Sequence, residues 1–187
     1  MTVPREAGQP PPITDSMRRS ARQMPGGWLY VIDPGFDPNG QVPGEGVVGG
    51  YRVDDRGVLT DEWWANPRYR PTPAALRLPR PLDEIEDLQQ RVATGWTPED
   101  ELRRALWSST FHILSGTGGE LFVIEEEQGE GIWAFTNLQR LSESLSGREH
   151  RELSWDELAD TVPKGMNIIL NPGCGATTRI PATEMRL

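Results

Sequence analysis

One cysteine and two histidines are the residues of this sequence best suited to nucleophilic or metal chemistry. Cys174 is the only cysteine among 187 residues, and His112 and His150 are the only histidines. A nucleophilic thiolate requires a cation or helix N-terminus that lowers its pKa, and zinc ligands recur at short spacings. Cys174 follows residues 171–173 (NPG), and the chain has no HxxxH or CxxC spacing. The sequence predicts a small thiol at a turn and two structural or surface histidines; an enzyme using Cys174, with His112 as its partner, is the alternative.

Two further patterns resemble ligand sites but lack the frame that such sites require. The glycines of residues 116–119 are followed by Glu120 and a predicted strand, whereas a phosphate loop ends in Gly-Lys-Ser/Thr or opens a helix. The acidic residues within 125–130 do not alternate as calcium ligands do. We interpret both as turns and exposed strand ends. The sequence therefore predicts no catalytic residue, no metal and no cofactor.

The aromatic residues point instead to protein binding. Trp63 and Trp64 are adjacent, so in a strand they point to opposite faces, and one of them can lie outward. Trp96 precedes a predicted helix N-cap at Thr97. Exposed Trp, Tyr and Arg are the commonest anchors of protein interfaces, although core packing would use the same side chains. The candidate interface residues are Trp63, Trp64, Tyr51, Tyr69, Arg70 and Trp96.

Charge and hydropathy narrow the range of partners. The net charge is −9, from 19 basic and 28 acidic residues. Nucleic acid and anionic membrane surfaces are poor partners for such a chain because both select basic surfaces. No apolar run approaches the ~20 residues that span a bilayer, and no apolar signal core follows the N-terminal charges. With one cysteine, these features favour a cytoplasmic protein without membrane insertion; its oligomeric state stays open.

The pattern of elements predicts three regions. Residues 1–13 are proline-rich and predict a disordered tail, and residues 14–81 form a β-rich element with a proline-rich connector. The β-rich element contains a helix at 15–24 and strands at 28–32, 47–53 and 58–64, with a turn at 54–57. We expect a three-stranded antiparallel sheet, with the first strand buried.

Residues 82–187 predict an α+β domain, packed with the preceding region as one unit. Helices begin at Asp83, at Thr97, at Thr136 or Asn137 and at the Ser154–Glu157 capping box. Strands are expected at 110–114, 121–125, 132–135, 166–170 and 177–180. Because strands alternate with short helices, the predicted fold class is α+β with a mixed or antiparallel sheet.

Four segments of this domain resemble the SseB N-terminal-domain family, over about residues 97–187. They are residues 101–106 (ELRRAL), 134–137 (AFTN), 154–158 (SWDEL) and 168–173 (IILNPG). Upstream, residues 28–34 (WLYVIDP), 50–54 (GYRVD) and 66–71 (NPRYRP) resemble bacterial type VII secretion system-associated proteins. The sequence departs from the family at 113–116 (ILSG), where the family's first core strand usually ends in an apolar residue and proline.

The resemblance implies an SseB-like fold and a non-enzymatic interaction protein. Its partner would be a secretion component or a secreted substrate, and the chain would act as an adaptor or chaperone-like protein. The resemblance implies no catalytic residue and no cofactor. An immunity or regulatory protein that masks a toxin is the alternative function.

Overall fold

The chain divides within the proline-rich connector into two units, Met1–Arg77 and Leu78–Leu187. The computed structural model describes residues 9–116, 120–126, 129–145 and 149–185. Most of the predicted tail (residues 1–8), part of the 116–119 turn and part of the 125–130 acidic segment lie outside the described residues. Residues 1–77 contain nine basic and nine acidic side chains, whereas residues 78–187 contain ten and nineteen. The net charge of the protein therefore belongs to the second unit.

The first unit contains one short helix and a three-stranded sheet. Its elements are α1 (Asp15–Ala21), β1 (Trp28–Ile32), a 3-10 turn (Gly44–Gly46), β2 (Val47–Val53) and β3 (Leu59–Ala65). The sheet order β1-β2-β3 is antiparallel throughout, as predicted. Thr14 caps α1 by accepting a hydrogen bond from the Met17 N–H. The helix ends before residue 24 because the amides of Gln23 and Met24 bond carbonyls three residues back, which tightens the chain into a turn.

One face of this sheet is covered by the N-terminal segment. Tyr51 is buried, and its hydroxyl donates a hydrogen bond to the buried carbonyl of Pro11. Trp63 packs against Tyr51 with ring centroids 4.7 Å apart, and a side chain at Gly49 would collide with the Trp63 ring. The predicted burial of β1 is wrong: its residues are half-buried, and Tyr30 is exposed, because only one face of the sheet is covered.

A buried carboxylate ties the connector back to the end of β1. Asp33 accepts hydrogen bonds from the Gly35 N–H (2.8 Å), the Tyr69 hydroxyl (2.8 Å) and the Thr72 N–H (3.0 Å). The Thr72 hydroxyl is a fourth donor to the same carboxylate. Asp33 thus holds together segments separated by almost forty residues of chain.

The second unit is an α+β domain, as predicted. Its elements are α2 (Glu84–Ala93), α3 (Glu99–Trp107), β4 (Thr110–Leu114), β5 (Val123–Glu126), β6 (Gly129–Phe135), α4 (Leu138–Leu145), β7 (His150–Ser154), α5 (Trp155–Thr161), β8 (Asn167–Leu170), β9 (Thr178–Pro181) and a 3-10 turn (Ala182–Glu184). The N-cap of α3 is Pro98 and not Thr97, and no side chain bonds the helix end there. The Ser154–Glu157 capping box is confirmed.

The sheet of the second unit is mixed. Its order is β7-β4-β6-β8-β9, with β5 also paired to β6, and every pair is antiparallel except β6 with β8. Because side chains alternate along each strand, neighbouring residues face different cores. Phe111 and Ile113 pack with α2, α3 and α5, whereas Leu114 and Phe135 pack with Leu141 of α4.

Candidate functional site

The uncovered face of the first sheet carries two adjacent exposed aromatic rings. The strand register aligns Tyr30 of β1 with Gly50 of β2, and Gly50 with Trp64 of β3. The Tyr30 and Trp64 rings meet edge to face, with centroids 6.4 Å apart and planes at 83°. Tyr30 is 56% exposed and Trp64 is 43% exposed. We call Trp28, Tyr30, Gly50, Arg52 and Trp64 the aromatic face.

The glycine at its centre allows the rings to approach each other. A Cβ atom at Gly50 would lie 3.2 Å from the Tyr30 ring and 3.4 Å from the Trp28 ring. Gly50 itself is buried under these rings. A larger residue in the middle strand would press against the Tyr30 and Trp28 rings, so their close approach to the strand depends on this glycine.

Arg52 supplies the positive charge of the aromatic face. Its guanidinium carbon lies 5.8 Å from the centre of the Trp28 ring, which is within cation–π range. One guanidinium nitrogen contacts the Gly27 carbonyl at 3.5 Å. Among the described residues, no carboxylate lies within ion-pair distance of Arg52. Its charge is therefore available to a carboxylate of a partner.

The structure separates the two adjacent tryptophans as the strand period predicts. Trp64 lies outward on the aromatic face, and Trp63 packs on Tyr51 on the covered face. Tyr51 is only 5% exposed, which places it in the packed interior of the first unit. Of these three predicted interface residues, only Trp64 is exposed, and its ring contacts the exposed ring of Tyr30.

The other predicted interface residues lie elsewhere. Tyr69 is half-buried, and its hydroxyl donates to Asp33, so its polar group supports the connector. Arg70 is exposed, and its backbone N–H bonds the Glu45 carbonyl at 2.9 Å. Trp96 belongs to the second unit and is half-buried. The structure does not bring these three residues into the aromatic face.

Sequence reasoning missed Trp28, Tyr30 and Arg52 as surface residues. Alternation along a strand places Trp28 and Tyr30 on the same face, so their partnership was readable from the sequence. The prediction that β1 is buried on both faces excluded Trp28 and Tyr30 from the candidate surface residues. Only the register of β1 on β2, which pairs Trp28 with Arg52, shows that the cation joins them.

The Cys174 thiol and the His112 ring have different neighbours and do not form a pair. The Cys174 side chain is buried, and the groups that act on its thiol are the Ala176 N–H, Glu86 and Arg140. Burial is the main cause that raises the pKa of Cys174, so the reactive thiolate is disfavoured. His112 instead lies edge-on to His150, with ring centroids 5.6 Å apart.

We expect the Cys174 thiol to react with Ellman's reagent at neutral pH more slowly in the folded protein than free cysteine does. The buried side chain restricts access, and its raised pKa lowers the thiolate fraction. Stopped-flow absorbance would measure the rate, with the urea-unfolded chain as the control that restores reactivity. A folded-state rate equal to that of free cysteine would show an accessible, activated thiol.

His112 is expected to make the protein less stable in mild acid. Burial is the main cause that lowers the pKa of His112; Glu152 opposes this effect, and His150 adds to it. Its Nδ1 atom has no hydrogen-bond partner among the described residues and lies 4.0 Å from a Glu152 carboxylate oxygen. Because the unfolded chain has the higher pKa, near the usual value of about 6.5, it binds more protons as the pH falls. The contribution of neutral His112 to the free energy of unfolding is therefore complete at pH values above the unfolded-state pKa. It is lost as the pH falls below that value toward the lower pKa of the folded state.

The measurement is the free energy of unfolding in urea at pH values between about 7 and 5, spanning the usual histidine pKa. The His112→Gln variant should show a shallower decline than the unchanged protein. The comparison uses the slopes, so a general loss of stability in the variant does not affect it. Parallel slopes would contradict a depressed His112 pKa.

A cleft in the second unit is a separate concave feature. It has a volume of about 370 Å³ and lies among α2, α3 and β9, with Val92, Leu102, Leu106, Trp155 and Ile180 among its lining residues. The lining also contains polar and charged residues, namely Gln89, Glu99, Arg103, Thr177, Thr178, Arg179 and Glu184. Of these, Gln89 donates to the Leu170 and Ala176 carbonyls and to the Thr178 hydroxyl. These contacts leave Gln89 as a structural group of the cleft wall.

In the described ranges, no three His, Cys, Asp or Glu residues are placed to hold a metal ion. No helix in those ranges has the length and apolarity needed to cross a bilayer.

Comparisons with protein-family models, with curated proteins and with solved structures find no match to this chain.

Proposed function

We propose that this protein is a non-enzymatic protein-binding module and that the aromatic face is its binding surface. The observation that carries the proposal is the pair of adjacent exposed rings, Tyr30 and Trp64, on the open side of the first sheet. Trp and Tyr dominate interface energetics because they bury a large area with few rotatable bonds. Here the strand register and Gly50 already fix the rings, so little ordering cost remains for binding.

The cellular role that we propose is that of an adaptor or chaperone-like protein of bacterial type VII secretion, acting in the cytoplasm. The support is the resemblance of residues 28–34, 50–54 and 66–71 to such proteins, and of the second unit to the SseB family. Two of the resembling segments are also joined in space. Asn171 accepts a hydrogen bond from the Thr136 N–H at 2.8 Å and donates one to the Thr136 hydroxyl at 2.9 Å. These hydrogen bonds join the segment 134–137 to the segment 168–173.

Electrostatics favour a protein partner over nucleic acid. The surplus of nine acidic residues in the second unit repels polyanions and raises the local concentration of basic proteins. The first unit is neutral overall, and Arg52 is the charged member of the aromatic face. We infer that the second unit steers the partner and that the aromatic rings provide the contact energy.

The test is an affinity pull-down from cells that contain the native secretion system. We expect recovery of a secretion component or a secreted substrate, and a loss of about tenfold with the Tyr30→Ala/Trp64→Ala variant. Trp107→Ala is the matched control, because Trp107 is an exposed tryptophan (52%, against 43% for Trp64) in the second unit. Equal recovery with both variants would remove the aromatic face from the proposal. Recovery of no secretion protein would remove the secretion role.

A further inference from the structure

We propose that two copies of this chain associate through the outer edge of β1, with the two β1 strands antiparallel and Tyr30 of one copy facing Tyr30 of the other. The inference goes beyond the proposed function, because it concerns an edge of the first sheet and a second copy of the chain. Three features of β1 carry it: its outward backbone groups, its composition and the direction of its aromatic rings.

Every second residue of β1 directs its backbone groups toward β2. The Gly27 carbonyl accepts a hydrogen bond from the Val53 N–H at 3.0 Å, and the Asp33 N–H donates to the Gly46 carbonyl at 2.9 Å. In an antiparallel pair, the residues that exchange such bonds alternate with residues whose groups point away. The register shift at the end of β1 adds its extra residue to β2, so the alternation along β1 is unbroken. The odd-numbered residues from 27 to 33 therefore face β2.

The even-numbered residues of β1 present their backbone groups at the edge of the sheet. These residues are Trp28, Tyr30 and Ile32, and β1 is a terminal strand of the order β1-β2-β3. Among the described residues, no loop, turn or side chain bonds their N–H or C=O groups. Residues 28 and 32 lie symmetrically about 30, so an antiparallel copy centred on Tyr30 offers each of them a donor and an acceptor. The edge is thus complementary to itself.

The composition of β1 permits this pairing, unlike that of the other terminal strands. Edge strands that stay unpaired are commonly protected by charged residues or proline. Such residues are present in β3 (Asp61, Glu62), in β7 (Arg151, Glu152) and in β9 (Arg179, Pro181). The sequence of β1, WLYVI, contains neither a charged residue nor proline. Two β1 strands can therefore approach each other without repulsion between like charges.

The side chains of β1 also suit this register. The Tyr30 and Trp28 rings lie over Gly50 of β2, so they lean away from the outer edge and leave its backbone groups uncovered. In the proposed pair, Trp28 of one copy faces Ile32 of the other, and the two Tyr30 side chains face each other. Aromatic residues opposite aromatic or β-branched residues are favourable cross-strand pairs. The two aromatic faces would then lie on the same side of one continuous sheet.

The first test is the molar mass of the full chain, measured by light scattering after size exclusion over a wide range of concentrations. A concentration-dependent dimer is expected. Tyr30→Lys and Tyr30→Glu should each weaken dimerisation by about tenfold, because each places like charges opposite each other and removes the aromatic pair. An equimolar mixture of the two variants should recover the dimer, because the facing charges are then opposite. Circular dichroism verifies that each variant is folded.

A second measurement uses the unchanged protein, so it does not depend on the folding of a variant. Hydrogen exchange at the Trp28, Tyr30 and Ile32 amides should slow as the protein concentration rises through the dimer transition. The amide of Asn39 lies in an exposed turn and should not change. Edge amides whose exchange does not depend on concentration would contradict pairing through β1.

Trp64→Ala is the matched control for the position of the interface. It removes the other exposed ring of the aromatic face and leaves β1 intact, so the dimer should persist. A dimer lost in Trp64→Ala would show that the copies meet through the aromatic face and would overturn the proposal. A monomer at every concentration, or folded Tyr30→Lys and Tyr30→Glu chains that do not pair when mixed, would also overturn it. A monomer whose pull-down still depends on Trp64 would leave the proposed function standing.

Discussion

Arg140→Met is expected to lower the free energy of unfolding by about 3–5 kcal/mol, because it leaves a buried carboxylate without its cation. Arg140 of α4 binds Glu86 of α2 with two nitrogens, and both contacts to the carboxylate oxygens are 2.9 Å. Glu86 is fully buried, and its remaining donor is the Leu82 N–H at 2.8 Å. The hydrogen bond to Glu86 is the main cause that raises the pKa of Arg140.

Two comparisons isolate the buried ion pair. The Glu86→Leu/Arg140→Met variant removes both charges and should recover much of the loss, since an apolar pair of similar size is tolerated in such sites. Arg104→Met breaks the exposed Arg104–Asp100 pair on α3 and should cost no more than about 1 kcal/mol. Urea unfolding followed by far-ultraviolet circular dichroism measures all three. An Arg140→Met effect as small as that of Arg104→Met would show that the buried pair contributes little.

Asp33→Ala is expected to destabilise the first unit by about 3 kcal/mol. The substitution deprives four donors of their acceptor, and each unsatisfied buried donor costs about 1–3 kcal/mol. The Tyr69 hydroxyl is half-buried and can recover a water molecule, which limits the total. The loss should appear locally, as faster hydrogen exchange at the Thr72 and Gly35 amides, as well as in global unfolding.

Asp37→Ala provides the matched control for the Asp33 prediction. Asp37 also accepts a hydrogen bond from an amide two residues ahead, that of Asn39 at 2.9 Å, but it is exposed. Water can replace its contacts, so the expected cost is below about 1 kcal/mol. If the two variants unfold at the same urea concentration, Asp33 is only a turn residue and does not hold the connector.

Local chemistry predicted most elements to within a residue or two. The strands at 28–32, 47–53 and 110–114 match β1, β2 and β4, because each is an apolar run bounded by turn or helix-end signals. Strand β7 (His150–Ser154) is not among the strands that the sequence predicts. Within β7 only Leu153 is buried, so the segment has no apolar pattern, and its strand state comes from pairing with β4.

Helix α2 contains buried apolar residues that a local sequence pattern predicts and buried polar residues that it does not predict. Ile85, Leu88 and Val92 recur at helical spacing, which is typical of a core-facing stripe; Ile85 and Leu88 are buried, and Val92 packs against the core. The burial of its polar residues could not be predicted, since their partners lie far along the chain. Glu86 binds Arg140, and the Gln90 side chain donates to the Cys174 carbonyl at 2.7 Å. A sequence pattern identifies an apolar stripe, but a buried polar side chain is specified only by the acceptor or donor that folding brings to it.

The sequence by itself determined that Trp63 and Trp64 point to opposite faces, because side chains alternate along any strand. Only the tertiary structure decided which of them lies outward. Pro11 and Tyr51 belong to the face on which Trp63 packs, while Tyr30, Gly50 and Trp64 align on the other. The period of a strand is a local property of the backbone, whereas the exposure of a face depends on which distant segment covers it.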